Sequence, residues 1–240
     1  MKKHREILAR VLPLGALCLL LSAFQSVAAA APFKSYAEAL QSVAARRAEL
    51  ARRYATAAPR AKSEVLRETG DWLREAVDKE LFPHWYGTAW DFYGTTQTPR
   101  NGKIACGYFV TTLLRDAGFK LERAPLAQQA SEKIILSLVR PAFVQRFRNV
   151  KLADFVAAVK QKGAGLYVVG LDVHVGFILN DGQQVYFVHS SYGDPQEVVK
   201  EIAADSSILG SSKYRVLGAL TEDDQLLAKL LMGGKIQTLR

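Results

Sequence analysis

Three side chains have the types and spacing for covalent chemistry: Cys106, His174 and His189. Cys106 stands near the start of the run Ile104-Ala105-Cys106-Gly107-Tyr108-Phe109-Val110-Thr111-Thr112-Leu113-Leu114. Phe109, Val110, Leu113, Leu114 and Ala117 follow at helical spacing on the same face as Cys106, and Gly118 ends the pattern. Unpaired amide N–H groups and the macrodipole at a helix start favour a thiolate, so a thiol pKa there is expected to fall from about 8.5 toward roughly 3.5–7.5. The two histidines flank the dipeptide Asp181-Gly182, which suits a two-residue type I′ hairpin turn. If Asn180 pairs with Gln183, His174 and His189 stand directly opposite each other with Cβ atoms about 4.5–5.5 Å apart. Such an imidazole pair can act as base and base-orienting group for a thiol on a helix packed against that face.

Several elements must position these groups. Residues 82–102 read as a long loop with five aromatics, Trp85, Tyr86, Trp90, Phe92 and Tyr93, which either wall a substrate cleft or cover core. His84 in the same stretch reads as a structural or surface residue. Ser35 with Glu38 forms a capping box ahead of a helix reaching about 54, and Val65, Leu66, Thr69, Trp72, Leu73, Ala76 and Val77 recur at helical spacing to about 81. Pro59 separates the two, giving a helical hairpin with Arg46, Arg47, Arg52 and Arg53 on its solvated side. Two short helices are expected at 126–139 and 151–162, broken at Pro141. The period then changes, and Val-, Phe-, Tyr- and Ile-rich stretches at 166–171, 173–179, 184–190 and 214–220 predict an antiparallel sheet. A last helix spans 222–231. The expected fold is therefore α+β, with a main domain at 83–220 preceded by the hairpin at 31–82 and followed by a C-terminal helix within 221–240.

The chain has 240 residues, 49% of them hydrophobic and 23% charged, which fits one globular domain with appendages. Residues 1–30 place Lys2, Lys3, Arg5 and Arg10 before an apolar run at 11–21 and small residues at 26–31, the layout of a secretory signal peptide cleaved within 27–30. Leu17 is too large for a lipidation site at Cys18. Removal of the signal leaves Cys106 as the sole thiol, so no internal disulfide can form. Four basic residues and Glu6 leave with it, so the net charge of +9 falls to +6. A basic exported protein is drawn to anionic wall polymers or membrane surfaces, and the lack of an aromatic and basic repeat argues against nucleic acid as a partner. No further apolar run approaches the ~20 residues of a membrane span. The expected location is the periplasm or cell surface, in soluble form.

Residues 90–192 resemble the papain-like NlpC superfamily of cell-wall cysteine peptidases and amidases. The likeness rests on Ala-Cys-Gly-Tyr-Phe-Val opening a helix that ends Arg-Asp-Ala-Gly-Phe, on His-Val-Gly-Phe-Ile-Leu-Asn-Asp-Gly, and on His189 in the next strand. It implies a papain-like fold and a peptidoglycan peptidase or amidase without a cofactor, with Cys106 as nucleophile, His174 as general base and His189 as orienting residue. Trp90-Asp91-Phe92-Tyr93-Gly94 echoes the family's aromatic-Gly-Gly element, which puts Trp90, Asp91 and Tyr93 at the substrate cleft. Where members acting on stem peptides carry Asp-Cys-Ser-Gly, this chain has Ala105-Cys106-Gly107-Tyr108, so their contacts to a free amino end are missing.

Two other classes fit the same residues. Cys106 and both histidines could hold a structural zinc ion with Asp172 or water as fourth ligand. Alternatively, Cys106 is inert and the chain is a catalytically inactive wall-binding module. In the hydrolase reading, the Cys106 N–H at the helix start is the expected oxyanion donor.

Overall fold

Six antiparallel strands form the centre of the computed structural model, which describes residues 34–239. In chain order they are β1 (Val144–Arg148), β2 (Gly165–Leu171), β3 (Val175–Asn180), β4 (Val185–Ser190), β5 (Val198–Ile202) and β6 (Tyr214–Ala219). Across the sheet they run β1-β6-β2-β3-β4-β5. The four inner strands follow the β-rich stretches of the sequence. The two edges, Val-Gln-Arg-Phe-Arg and Val-Val-Lys-Glu-Ile, were not expected, because the charges that protect a sheet edge from further pairing also break its apolar pattern.

The larger helices are α1 (Tyr36–Thr56), α2 (Pro59–Glu75), α3 (Cys106–Asp116), α4 (Ser131–Leu138), α5 (Leu152–Gln161) and α6 (Asp224–Met232). Ser35 and Glu38 cap α1 reciprocally: Glu38 N–H donates to Ser35 Oγ at 3.3 Å, and Ser35 N–H to Glu38 Oε2 at 2.7 Å. Pro59 occupies the first position of α2, where its missing N–H costs nothing. The expected helix to 81 changes type after Glu75, becoming a π-turn at Ala76–Leu81 and a short helix at Phe82–Trp85. The stretch 126–139 divides into Arg123–Ala127 and α4.

Helices cover both faces of the sheet. On one face Leu166, Val168, Phe177, Val188 and Val216 pack with Leu50 of α1, Leu73 of α2, Phe109 and Leu113 of α3, and Leu230 of α6. On the other, Tyr167, Ile178, Phe187 and Leu217 pack with Phe155 and Val159 of α5. The expected boundaries at 82/83 and 220/221 do not interrupt the first cluster; hairpin, sheet and last helix share one core. Among the described residues no helix is long and apolar enough to cross a membrane. The expected signal peptide lies outside the described residues.

Candidate active site

Cys106 is the first residue of α3, and its neighbours fix it there. Ala105 donates its N–H to Gly94 O at 2.8 Å and accepts at its carbonyl from Phe109 N–H at 2.8 Å, tying the helix start to the aromatic loop. A Cβ at Gly107 would lie 2.2 Å from Ala127 O, so only glycine lets the 123–127 segment close over the helix start. The backbone N–H groups of Val175, Gly107 and Cys106 itself act in favour of a thiolate. The side chain keeps partial access through a cavity. Burial nevertheless pushes the thiol above its ordinary value, and the three N–H donors offset this only in part. The expectation of a lowered thiol pKa is therefore overturned, because desolvation outweighs the helix start.

The histidines meet by a different register from the expected one. Asn180 pairs with Val185, so the hairpin loop has four residues rather than two. Side-chain oxygens decide this: Asp181 Oδ1 accepts from Gln183 and Gln184 N–H at 2.8 and 2.7 Å, and Asn180 Oδ1 from Gly182 N–H at 3.0 Å. A slip of two residues preserves which face each side chain occupies. His189 accordingly faces Gly176, with His174 on the diagonal, and a Cβ at Gly176 would come within 2.8 Å of His189 Cβ. The missing side chain leaves room for the two rings, whose centroids are 5.0 Å apart.

A hydrogen-bonded chain then fixes both tautomers. His189 Nε2 lies 3.1 Å from Glu201 Oε1, and Ser206 Oγ donates to the same oxygen at 2.6 Å. A carboxylate only accepts, so His189 carries its proton on Nε2 and offers a lone pair at Nδ1. His174 Nε2 stands 2.9 Å from that Nδ1 and must donate to it. His174 Nδ1 is left with a lone pair, buried and without a hydrogen-bond partner. Burial, then repulsion from His189, hold His174 down at about 3, so the free imidazole is neutral at pH 7. Burial also lowers His189, against the opposing pull of Glu201. Burial raises the Glu201 carboxyl, but hydrogen bonds from His189 and Ser206 outweigh it and leave it below its usual range.

Thiol and imidazoles belong to opposite faces of the sheet. The α3 ring of Phe109 packs 5.9 Å from Phe177, whereas His189 stacks 3.9 Å from Phe187 on the α5 side. The expected helix on the histidine face is thus replaced by a meeting at the start of β3, where His174 precedes Val175, whose N–H favours the thiolate, and lines the same cavity as Cys106. Cys106 and His174 line one cavity of about 750 Å³ together with Trp90, Phe92, Tyr93, Tyr108 and Tyr192. They also line a second space of about 250 Å³ toward Ser131 and Asp172.

The aromatic loop divides between its two readings. Trp90, Phe92 and Tyr93 line the large cavity, while Trp85 is fully buried and donates its Nε1–H to Tyr36 Oη at 3.0 Å. Asp91 does not line the cavity; its carboxylate accepts from Tyr93 N–H at 2.8 Å and Lys103 Nζ at 3.3 Å, shaping the loop that presents Tyr93. His84 packs against the Tyr36 ring at 5.3 Å. Asp172, the fourth ligand of the zinc reading, accepts instead from Ser212 Oγ and Lys213 N–H, and among the described residues no three His, Cys, Asp or Glu side chains converge to hold a metal ion. Glu201, Ser206, Tyr108 and Tyr192 were missed from sequence; Glu201 was legible only once β5 was known to be a strand whose alternation puts 201 on the His189 side. No family model, curated protein or solved structure matches the chain.

Proposed function

We propose that the protein is a cysteine hydrolase that cleaves an amide bond through an acyl-enzyme on Cys106. The observation that carries this is the buried, unpartnered lone pair of His174 Nδ1, on a residue that lines one cavity with Cys106 and is backed by the His189-Glu201 chain. Thiol and imidazole start neutral, so the proton passes from Sγ to His174 Nδ1 as sulfur attacks the carbonyl carbon. The C–N bond then breaks, and His174 returns the proton to the departing amine. Water, deprotonated by the same nitrogen, attacks the thioester; the acid leaves and the thiol is restored. The Cys106 N–H at the start of α3 is the donor for the developing oxyanion.

A cysteine opening a helix against an antiparallel sheet, with the base at the head of a neighbouring strand, supports a papain-like, NlpC-like member, and with it export and a cell-wall peptide as substrate. The test is to incubate purified wall fragments with wild type and Cys106→Ser and identify released products by mass. A product formed by wild type alone supports the proposal, and equal release by both overturns it. Burial of the thiol favours one second reading, an inactive wall-binding module, which would retain wall binding in both proteins and release nothing.

A further inference from the structure

The large cavity differs from the rest of the molecule in its chemistry. Charged residues make up 23% of the chain, yet no Lys, Arg, Asp or Glu lines the large cavity, and the one carboxylate of the smaller space beside Cys106, Asp172, is held by Ser212 Oγ and Lys213 N–H. Its polar lining residues carry no charge at rest: Gln128, Gln129, Gln196, Thr95, the tyrosines, and the buried, neutral His174. Neighbouring charges are engaged elsewhere. The Arg123 guanidinium stacks 4.8 Å from the Tyr108 ring centroid and donates to Thr112 Oγ1, Thr95 O and Thr96 O. Lys103 is held by the Asp91 carboxylate.

The rim is apolar as well. Tyr93 is 84%, Val173 82% and Phe92 71% exposed, and with Tyr192 they supply four of the seven exposed large apolar residues among those described. Such side chains gathered at one mouth mark a surface that an apolar ligand covers. A charged substrate group would lose its hydration here with no counter-charge in return.

Resting on the acyl-enzyme reading, we infer that the group transferred to Cys106 is bulky, apolar and uncharged, and that a free ammonium or carboxylate on this part of the substrate is rejected. In the test reaction the Cys106 sulfur forms a thioester, the ester C–O bond breaks, p-nitrophenolate leaves, and water releases the acid.

The experiment measures kcat/KM for p-nitrophenyl octanoate, p-nitrophenyl acetate, and octanoate analogues bearing an ω-ammonium or ω-carboxylate. The neutral octanoyl ester should exceed each of the other three by about tenfold or more. Phe92→Ser and Tyr93→Ser, at exposed positions that tolerate polar side chains, should each lower the octanoate-to-acetate ratio several-fold. Charged analogues turned over as well as the neutral one, or a ratio unmoved in both variants, would overturn the inference while leaving Cys106-dependent hydrolysis standing. Equal hydrolysis of every ester by wild type and Cys106→Ser would instead remove the acyl-enzyme reading, and this inference with it.

Discussion

On the face covered by α3, strands β3 and β4 present Phe177, Leu179 and Val188 to the helical core. One residue out of step, the same strands present Phe187, His189 and, just before β3, His174 to the opposite side, where Glu201 and Ser206 continue the polar chain. Strand alternation lets one hairpin serve as scaffold on one face and proton relay on the other. The nucleophile is anchored by the scaffold face and the base by the relay face. The two halves of the site should therefore fail separately.

The largest effect is expected from breaking the relay at its head. His174→Gln should lower kcat/KM by about 10²- to 10⁴-fold, the usual contribution of a positioned base, with the scaffold intact by circular dichroism. The same variant has a signature in stability. Unfolded, His174 titrates near 6.5, whereas burial and His189 hold it at about 3 in the fold. Between those values the unfolded chain binds a proton that the folded one does not, so wild type loses stability as pH falls from 6.5 toward 3. Denaturant midpoints of His174→Gln across that window should fall less steeply; parallel curves would show that His174 is not buried and neutral.

Arg215 sharpens the contrast because it is polar and on the relay side, yet outside the relay. Its buried guanidinium donates to Leu209 O at 3.0 and 2.6 Å and to Val150 O at 2.8 Å. Arg215→Met leaves those carbonyls without donors and should cost about 2–4 kcal/mol in urea unfolding. Rates per folded molecule should not change; a large loss of kcat at a temperature where the variant remains folded would tie Arg215 to the site.

A smaller effect should follow at the tail of the relay. Glu201→Gln removes the charge that selects the His189 tautomer, and a loss of about 10- to 100-fold in kcat with little change in KM is expected, by analogy with the carboxylates that orient metal-bound histidines. Glu201→Asp should recover part of it. An unchanged kcat in Glu201→Gln would show that the base does not need that carboxylate.

These distinctions were only partly legible in the sequence. The Cys106 helix and the inner strands announce themselves because their apolar residues repeat at clear periods. The pairing of His174 with His189 was legible as a shared face even with the register off by two, since the strand period is two. The sheet face covered by α3 was not, because periodicity shows that a helix has an apolar side without showing what it meets. Edge strands and Glu201 were hidden by the charges an edge requires. The direction of the Cys106 shift depends on how much protein surrounds the sulfur, which no local run of residues reports.

Mass analysis of a trapped intermediate tests the central claim most directly. Wild type and Cys106→Ser are mixed with p-nitrophenyl octanoate, quenched in acid within the first turnovers, digested and mapped. An octanoyl adduct on the Cys106 peptide of wild type, weaker in His174→Gln and absent from Cys106→Ser, is the predicted result. Nitrophenolate released at equal rates by wild type and Cys106→Ser, with no adduct at Cys106, would contradict it.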